Sequence, residues 1–276
     1  MSAIIELFSY DFFVHAVLAS VFGAITCGII GAYIVSRRIV FISGGITHAS
    51  FGGIGIGHFL GINPLLGAAV FAVLSALGIQ FFTQKGKLRE DSSIAIWWSL
   101  GMAIGIVFIS FSPGYAPDLM NYLFGNILTV TTQEIWLMAL LSLVIIVIFL
   151  IFYRKILYIS FNEEFARTTG LPVDSINYLL ISLMAITIVL NIRVVGIILI
   201  LSLLTIPQAM ANLFTHDLKK MMLLSVLFAF LCSFTGLFIS YFIDIPSGAS
   251  IIFTLVTIFL ILKLISIVIT KNRKSF

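Results

Sequence analysis

Apolar residues run along the chain in long blocks, separated by short polar or basic stretches. The blocks fall at 12–35, 40–60, 64–83, 93–112, 134–152, 175–191, 195–214, 221–243 and 249–270. Most reach the ~20 residues that a helix needs to cross the hydrocarbon of a bilayer. Within them the pattern is uniformly apolar. It lacks the ten-residue alternation of a membrane barrel, and in lipid the backbone must then satisfy itself as helix. The pattern predicts an all-α polytopic membrane protein of about nine transmembrane helices, with eight to ten compatible with the same blocks. One further apolar piece, 119–131, is too short to cross. It is expected to lie half-inserted or interfacial on the outer side. The loops are short, so residues 1–276 form a single transmembrane domain.

Composition sharpens this reading. The chain is 61% hydrophobic and 9% charged, against roughly 25% charged residues in soluble domains. An ordinary soluble enzyme, a nucleic-acid module and a disordered tail are all excluded. The formal charge of +4 is then a topology signal. Basic clusters follow every odd-numbered block: Arg37 and Arg38; Lys85, Lys87 and Arg89; Arg154, Lys155 and Arg167; Lys219 and Lys220; Lys271, Arg273 and Lys274. Those ends are predicted to be cytoplasmic, with the N-terminus outside and the C-terminus inside. Outer segments hold Glu6, Asp11, Asp118, Glu134 and Asp244, with Arg193 as the basic exception. Glu6 and Asp11 precede the first block without any Lys or Arg, the wrong start for a cleaved signal peptide, so that span is expected to be retained. Cys27 and Cys232 lie within apolar blocks and read as small buried hydrophobes.

The chain carries no Gly-x-x-x-x-Gly-Lys-Ser/Thr phosphate loop, no His-Glu-x-x-His and no Gly-x-Ser-x-Gly. It is not expected to use ATP itself or to act as an intramembrane protease or lipase. Passage of something across the membrane is the expected role.

Three segments depart from plain lipid-facing helix. Ser43–Gly57 holds six glycines inside a span, with His48 between them. Small residues let helix backbones approach closely, and an imidazole at membrane depth needs a partner or a wet cavity. It is either a packed histidine or a borderline-metal ligand. Tyr158–Pro172 lies in the longest basic-side loop. Asn162 can cap a short helix with Glu163 and Glu164 in its first turn, and Gly170 and Pro172 stop it. Phe161, Phe165 and Leu171 give it an apolar stripe suited to a partner protein or to the lipid interface. Asp244–Ser250 is an outer turn, or a vestibule that sets Asp244 at a pore mouth. Pro207-Gln208 breaks a helix, as a kink or as a polar lining. His15 and His58 lie near outer span ends and His216 lies in a basic-side loop; all three read as non-ligating.

Taken in order, several pieces resemble the membrane permeases of ABC importers for manganese, zinc and iron. They are Ser43–Gly57 with its Thr-His-Ala-Ser core, Asp91–Ile96, Tyr122–Leu128, Phe161–Pro172, Arg193–Ile197 through Ile206–Ala209, and Ser240–Ala249. The resemblance covers nearly the whole chain. It implies a homodimer of permeases in the cytoplasmic (inner) membrane of a prokaryote, surrounded by lipid. Each copy would dock a cytoplasmic ABC ATPase subunit, which supplies ATP, and an extracytoplasmic metal-binding protein would deliver the metal. There is no permanently bound cofactor and no nucleic-acid partner in this reading. Residues 158–172 resemble the family's coupling helix, with Phe161, Glu164, Phe165, Ala166 and Gly170 at its positions. His48 resembles the histidine on the metal path, and Asp244 is the candidate for an outer gate if its turn is more than a plain turn. Many manganese and zinc members carry an aspartate four residues before that histidine; here the position is Gly44. Manganese, zinc, ferrous iron and a chelated metal all stay open. The alternative is a stand-alone secondary transporter or channel for a cation or metal chelate. That would need a coupling carboxylate in mid-span, and the blocks hold none.

Overall fold

Local chemistry at the helix ends explains where each apolar block starts and stops. α1 (Asp11–Arg37) opens on an acidic residue and closes on a basic one, both favoured by the helix dipole. It is followed by α2 (Val40–Phe59). α3 (Pro64–Gln84) starts with Asn63 accepting a hydrogen bond from the Leu65 amide and with proline at its first position. α4 spans Glu90–Phe111. α5 (Thr132–Phe161) begins in a capping box, in which Thr131 and Glu134 satisfy each other's amides. α6 (Glu163–Thr168) is a short helix at its foot. Then come α7 (Val173–Leu203), α8 (Ile206–Asn212), α9 (Leu218–Ile243) and α10 (Ser247–Arg273). The computed structural model describes residues 8–112, 125 and 127–273, with side chains as far as Val268. Of the sequence features, Asp118, Tyr122–Phe124, Asn126 and most of 119–131 lie outside the described residues; Ile127–Thr129 form a 3-10 turn.

The described residues form helices joined by short turns, without a strand. Eight stretches are long and apolar enough to cross a membrane, one of them the 40 residues Val173–Asn212. A straight helix of that length would reach ~60 Å, about twice the hydrocarbon thickness. The chain instead turns back at Gly196, where φ 80° and ψ 165° leave helical geometry. Contacts fix the reversal. Asn177 bonds Glu163 at the foot of α5. Arg193 meets Glu134 at the head of α5, 2.5 Å away. Beyond the turn, Gln208 donates to the Cys27 carbonyl at 2.9 Å, and Asp217 and Lys219 lie beside Tyr153, low on α5. The blocks 175–191 and 195–214 are therefore fused into one helical hairpin. Among the described residues there are thus eight such stretches, one of them folded back on itself. The returning limb is itself broken between Leu203 and Ile206, and Gln208 closes the break by donating to the Leu203 carbonyl at 3.1 Å. Gln208 is fully buried and tied to α1 and to the Leu203 carbonyl, so among the described residues it packs the break.

Among the described residues, the basic clusters around Arg37, Lys85, Arg167 and Lys219 gather at one end. Arg37 bonds the Ile159 carbonyl and Glu163, each at 2.7 Å. The exceptional Arg193 at the opposite end is neutralised by Glu134.

α2 is the most enclosed of the early helices, held by α3, α4 and α7. Its glycines do the work. A Cβ on Gly53 would lie 2.1 Å from the Gly67 carbonyl oxygen, and one on Gly55 would lie 2.5 Å from that of Gly105. Backbones touch directly there, as small residues allow in lipid. α1 forms the second centre, packed by α5, α7, α8 and α9, while α10 packs on α9.

Candidate functional site

Most of α2 is buried. Between Phe41 at its start and Ile56 near its end, His48 is the only residue left partly open. Positions 41, 48 and 56 are spaced by about two turns, so they form one narrow stripe. Each neighbour of the stripe has its own reason to be enclosed. Thr47 and Ser50 return their hydroxyls to the carbonyls of Ser43 and Thr47 at 2.6 Å, and the glycines press on α3 and α4.

His48 stacks flat on Trp98 of α4, with ring centroids 4.2 Å apart and planes 6° from parallel. Neither ring nitrogen has a hydrogen-bond partner among the described residues. The packed-histidine alternative requires a bonded carbonyl, and the described residues offer none. One turn earlier, Gly44 differs from the other glycines of the helix. A Cβ there would meet only Leu201 at 3.8 Å and Trp98 at 3.9 Å, ordinary contacts. The Gly44 position is thus sterically open and faces the same indole. Among the described residues, no three of His, Cys, Asp and Glu gather into a metal cage. The arrangement can offer a passing cation an imidazole edge in a space with a glycine floor.

Asp244 lies elsewhere. It ends α9 in the left-handed region, φ 57°. It lines a cavity of ≈ 510 Å³ with Phe12, Phe13, Ser240 and Tyr241, on the α1–α9–α10 flank. The structure does not bring it beside His48. The remaining histidines have structural places. His15 meets the Val130 carbonyl at 3.1 Å and His216 meets Asn212 at 3.1 Å, while His58 is half-buried at the last turn of α2.

At the basic end, Asn162 caps α6 by accepting from the Phe165 amide at 3.0 Å. The helix closes with Gly170 at φ 76°. There the Gly170 and Leu171 amides bond the Arg167 and Ala166 carbonyls, a geometry that glycine adopts without strain. Tyr158–Phe161 belong to the last turn of α5, so the short helix is narrower than 158–172. Phe161 and Phe165 are 74% and 55% exposed, while Ala166 is fully buried. Ala166 anchors the helix, and the two phenylalanines with Glu164 face outward. Glu163 is gripped from both sides, by Arg37 of α1 at 2.7 Å and by Arg167 at 2.9 Å. Arg167 continues to Asp174 of α7 at 2.5 Å. Burial pushes the Glu163 carboxyl up, but the hydrogen bonds from Arg37 and Arg167 outweigh it and hold the group below the usual carboxylate range. The Arg37 and Arg167 links were not singled out from sequence. Only the charge count on the loop hinted at them.

A multi-crossing helical bundle with a capped, ion-paired helix at its basic end defines an integral membrane protein. The chain belongs to the ABC 3 transport family, whose family model matches residues 9–266. It is 41% identical to an uncharacterized membrane protein of Synechocystis sp., over 91% of this chain and 90% of that one. It is 34% identical to the manganese transport system membrane protein MntC of Halalkalibacterium halodurans, over 92% and 87%. Among solved structures, PsaBC from Streptococcus pneumoniae in complex with Fab matches at 32% identity, covering 95% of each chain, with a TM-score of 0.84.

Proposed function

We propose that the chain is the permease subunit of an ATP-driven importer that carries a divalent transition metal across the cytoplasmic membrane of a bacterium. The observation that carries this reading is the unpartnered His48 imidazole on the single open stripe of an otherwise sealed, glycine-packed helix. Such a group is costly against lipid. A second copy of the chain covers that face, and the two stripes line a shared path. The manganese transport names of relatives such as MntC support the cargo class. An imidazole without a neighbouring carboxylate also suits zinc and ferrous iron.

The basic end faces the cytoplasm. There the exposed Phe161 and Phe165 and the nearby Glu164 seat an ABC ATPase subunit, with Gly170 ending the helix that carries them. ATP binding by that subunit moves α6, and the Arg37–Glu163 and Arg167–Asp174 pairs pass the displacement to α1 and α7. The path beside His48 then changes from outward to inward access. His48 touches the ion transiently through a ring nitrogen. Asp244 guards the cavity at the outer end, where an extracytoplasmic binding protein delivers the cargo.

The test is uptake into proteoliposomes that hold the chain with its ATPase, for manganese, zinc and ferrous iron. ATP-dependent uptake that His48→Ala abolishes is expected. Transport by the purified chain alone, independent of ATP, overturns the reading in favour of a stand-alone carrier.

A further inference from the structure

The indole of Trp98 has a role that follows from its geometry against His48, and this inference rests on the reading of His48 as a cargo ligand. We propose that Trp98 is a positioning residue of the cation site: it holds the imidazole by its face, so that the metal meets the ring only at its edge. Three observations carry this. The rings are nearly parallel, 6° apart, at 4.2 Å. A ring stacked on its face has restricted rotation, while both nitrogens, which lie in the ring plane, stay uncovered. Neither nitrogen is tied down by a hydrogen bond among the described residues, so stacking is the restraint that the structure provides. Finally, Trp98 also faces Gly44, where a Cβ would stand 3.9 Å from the indole. The indole therefore walls the space in which a second ligand would sit.

The adjacent Trp97 is the natural control. It packs against α3 so tightly that a Cβ on Gly78 would lie 2.1 Å from its ring. It serves helix packing, and its ring partner is Phe82 at 6.5 Å, so it reports on structural damage alone.

The experiment uses the full permease–ATPase complex in nanodiscs. Manganese(II) binding is followed by its electron paramagnetic resonance signal and by quenching of tryptophan emission. The chain has three tryptophans, Trp97, Trp98 and Trp136, so single replacements assign the quenching. In the wild type, bound manganese quenches emission, and Trp98→Phe removes most of that quenching while keeping affinity, because phenylalanine still stacks. Trp98→Leu weakens binding roughly two- to tenfold, the span expected of one aromatic pair. Trp97→Phe keeps the quenching. Unchanged affinity in Trp98→Leu, or quenching that survives in Trp98→Phe, overturns the proposal. His48→Ala separates the two readings. If it abolishes binding while Trp98→Leu has no effect, only the positioning role fails. If His48→Ala binds as the wild type does, the cargo-ligand reading fails and the positioning role fails with it.

Discussion

Placing the same methyl group at two sites on one helix tests the packing around the path. Gly53→Ala puts a Cβ 2.1 Å from the Gly67 carbonyl oxygen, 2.5 Å from its carbonyl carbon and 2.7 Å from the Phe71 Cβ. Two of these atoms are backbone and the third is bonded to it, so no rotamer change relieves the clash. Ordinary contact begins at 3.4 Å, so α2 and α3 must part by about 1.3 Å. Overpacking of this kind costs roughly 1–3 kcal/mol. A gap of ~1 Å also forfeits up to about half of each dispersion contact along the seam. Gly44→Ala adds the same atom against neighbours at 3.8 and 3.9 Å. It should be neutral, or gain up to ~1 kcal/mol from the better helix propensity of alanine. The propensity gain is common to both variants and cancels, so they are expected to differ by the overpacking cost, about 1–3 kcal/mol. Thermal unfolding in detergent, followed by size-exclusion of the surviving folded fraction, reads the difference as a midpoint several degrees lower for Gly53→Ala. Equal midpoints would refute the backbone-contact packing of α2 on α3, and with it the enclosure that leaves His48 on the only open stripe.

Gly44→Asp should fold, because the site is open, and should lower the KM for manganese uptake by about tenfold through one charged ligand; uptake titrations against zinc check it. Phe165→Ala should leave permease stability within ~0.5 kcal/mol and weaken ATPase association by about 2 kcal/mol, read by co-purification. Arg37→Ala removes a charged hydrogen bond that typically contributes ~1.5–3 kcal/mol, and should lower the amount of metal moved per ATP before it lowers ATP hydrolysis. The pH dependence of that clasp follows from the lowered Glu163 pKa. Its stabilisation is present above the unfolded value of about 4.3 and is lost as pH falls through the lower folded value. Coupling should therefore hold from about pH 8 down to pH 5 and fail only below about pH 4, and the failure should move to higher pH in Arg167→Ala.

What the sequence made legible follows from how local each cause is. Span positions are properties of apolar blocks, and the eight apolar stretches among the described residues fall on the blocks read from sequence. The cap by Asn162 and the stop at Gly170 depend on neighbours in sequence, and both are in place. That the Ser43–Gly57 glycines allow close approach was also legible. Their partners Gly67, Gly101 and Gly105 were not, because helix pairing is set by tertiary packing. Trp98 escaped notice for the same reason. A tryptophan in an apolar block carries no local sign that a histidine 50 residues earlier lies under its ring. The continuity of α7 across Gly196 was hidden too, since the apolar pattern is the same on both sides of a turn that never leaves the bilayer-depth sequence.

That turn has a consequence for biogenesis. The chain offers no hydrophilic loop at Gly196, only Arg193 nearby, so the two limbs have to enter the membrane as one hairpin. The sidedness of α9, α10 and the C-terminus depends on that single reversal. Straightening it would place every later loop on the opposite face, with Lys219 and Lys220 stranded far from the other basic clusters. One glycine with a positive φ thus sets the parity of the whole C-terminal third.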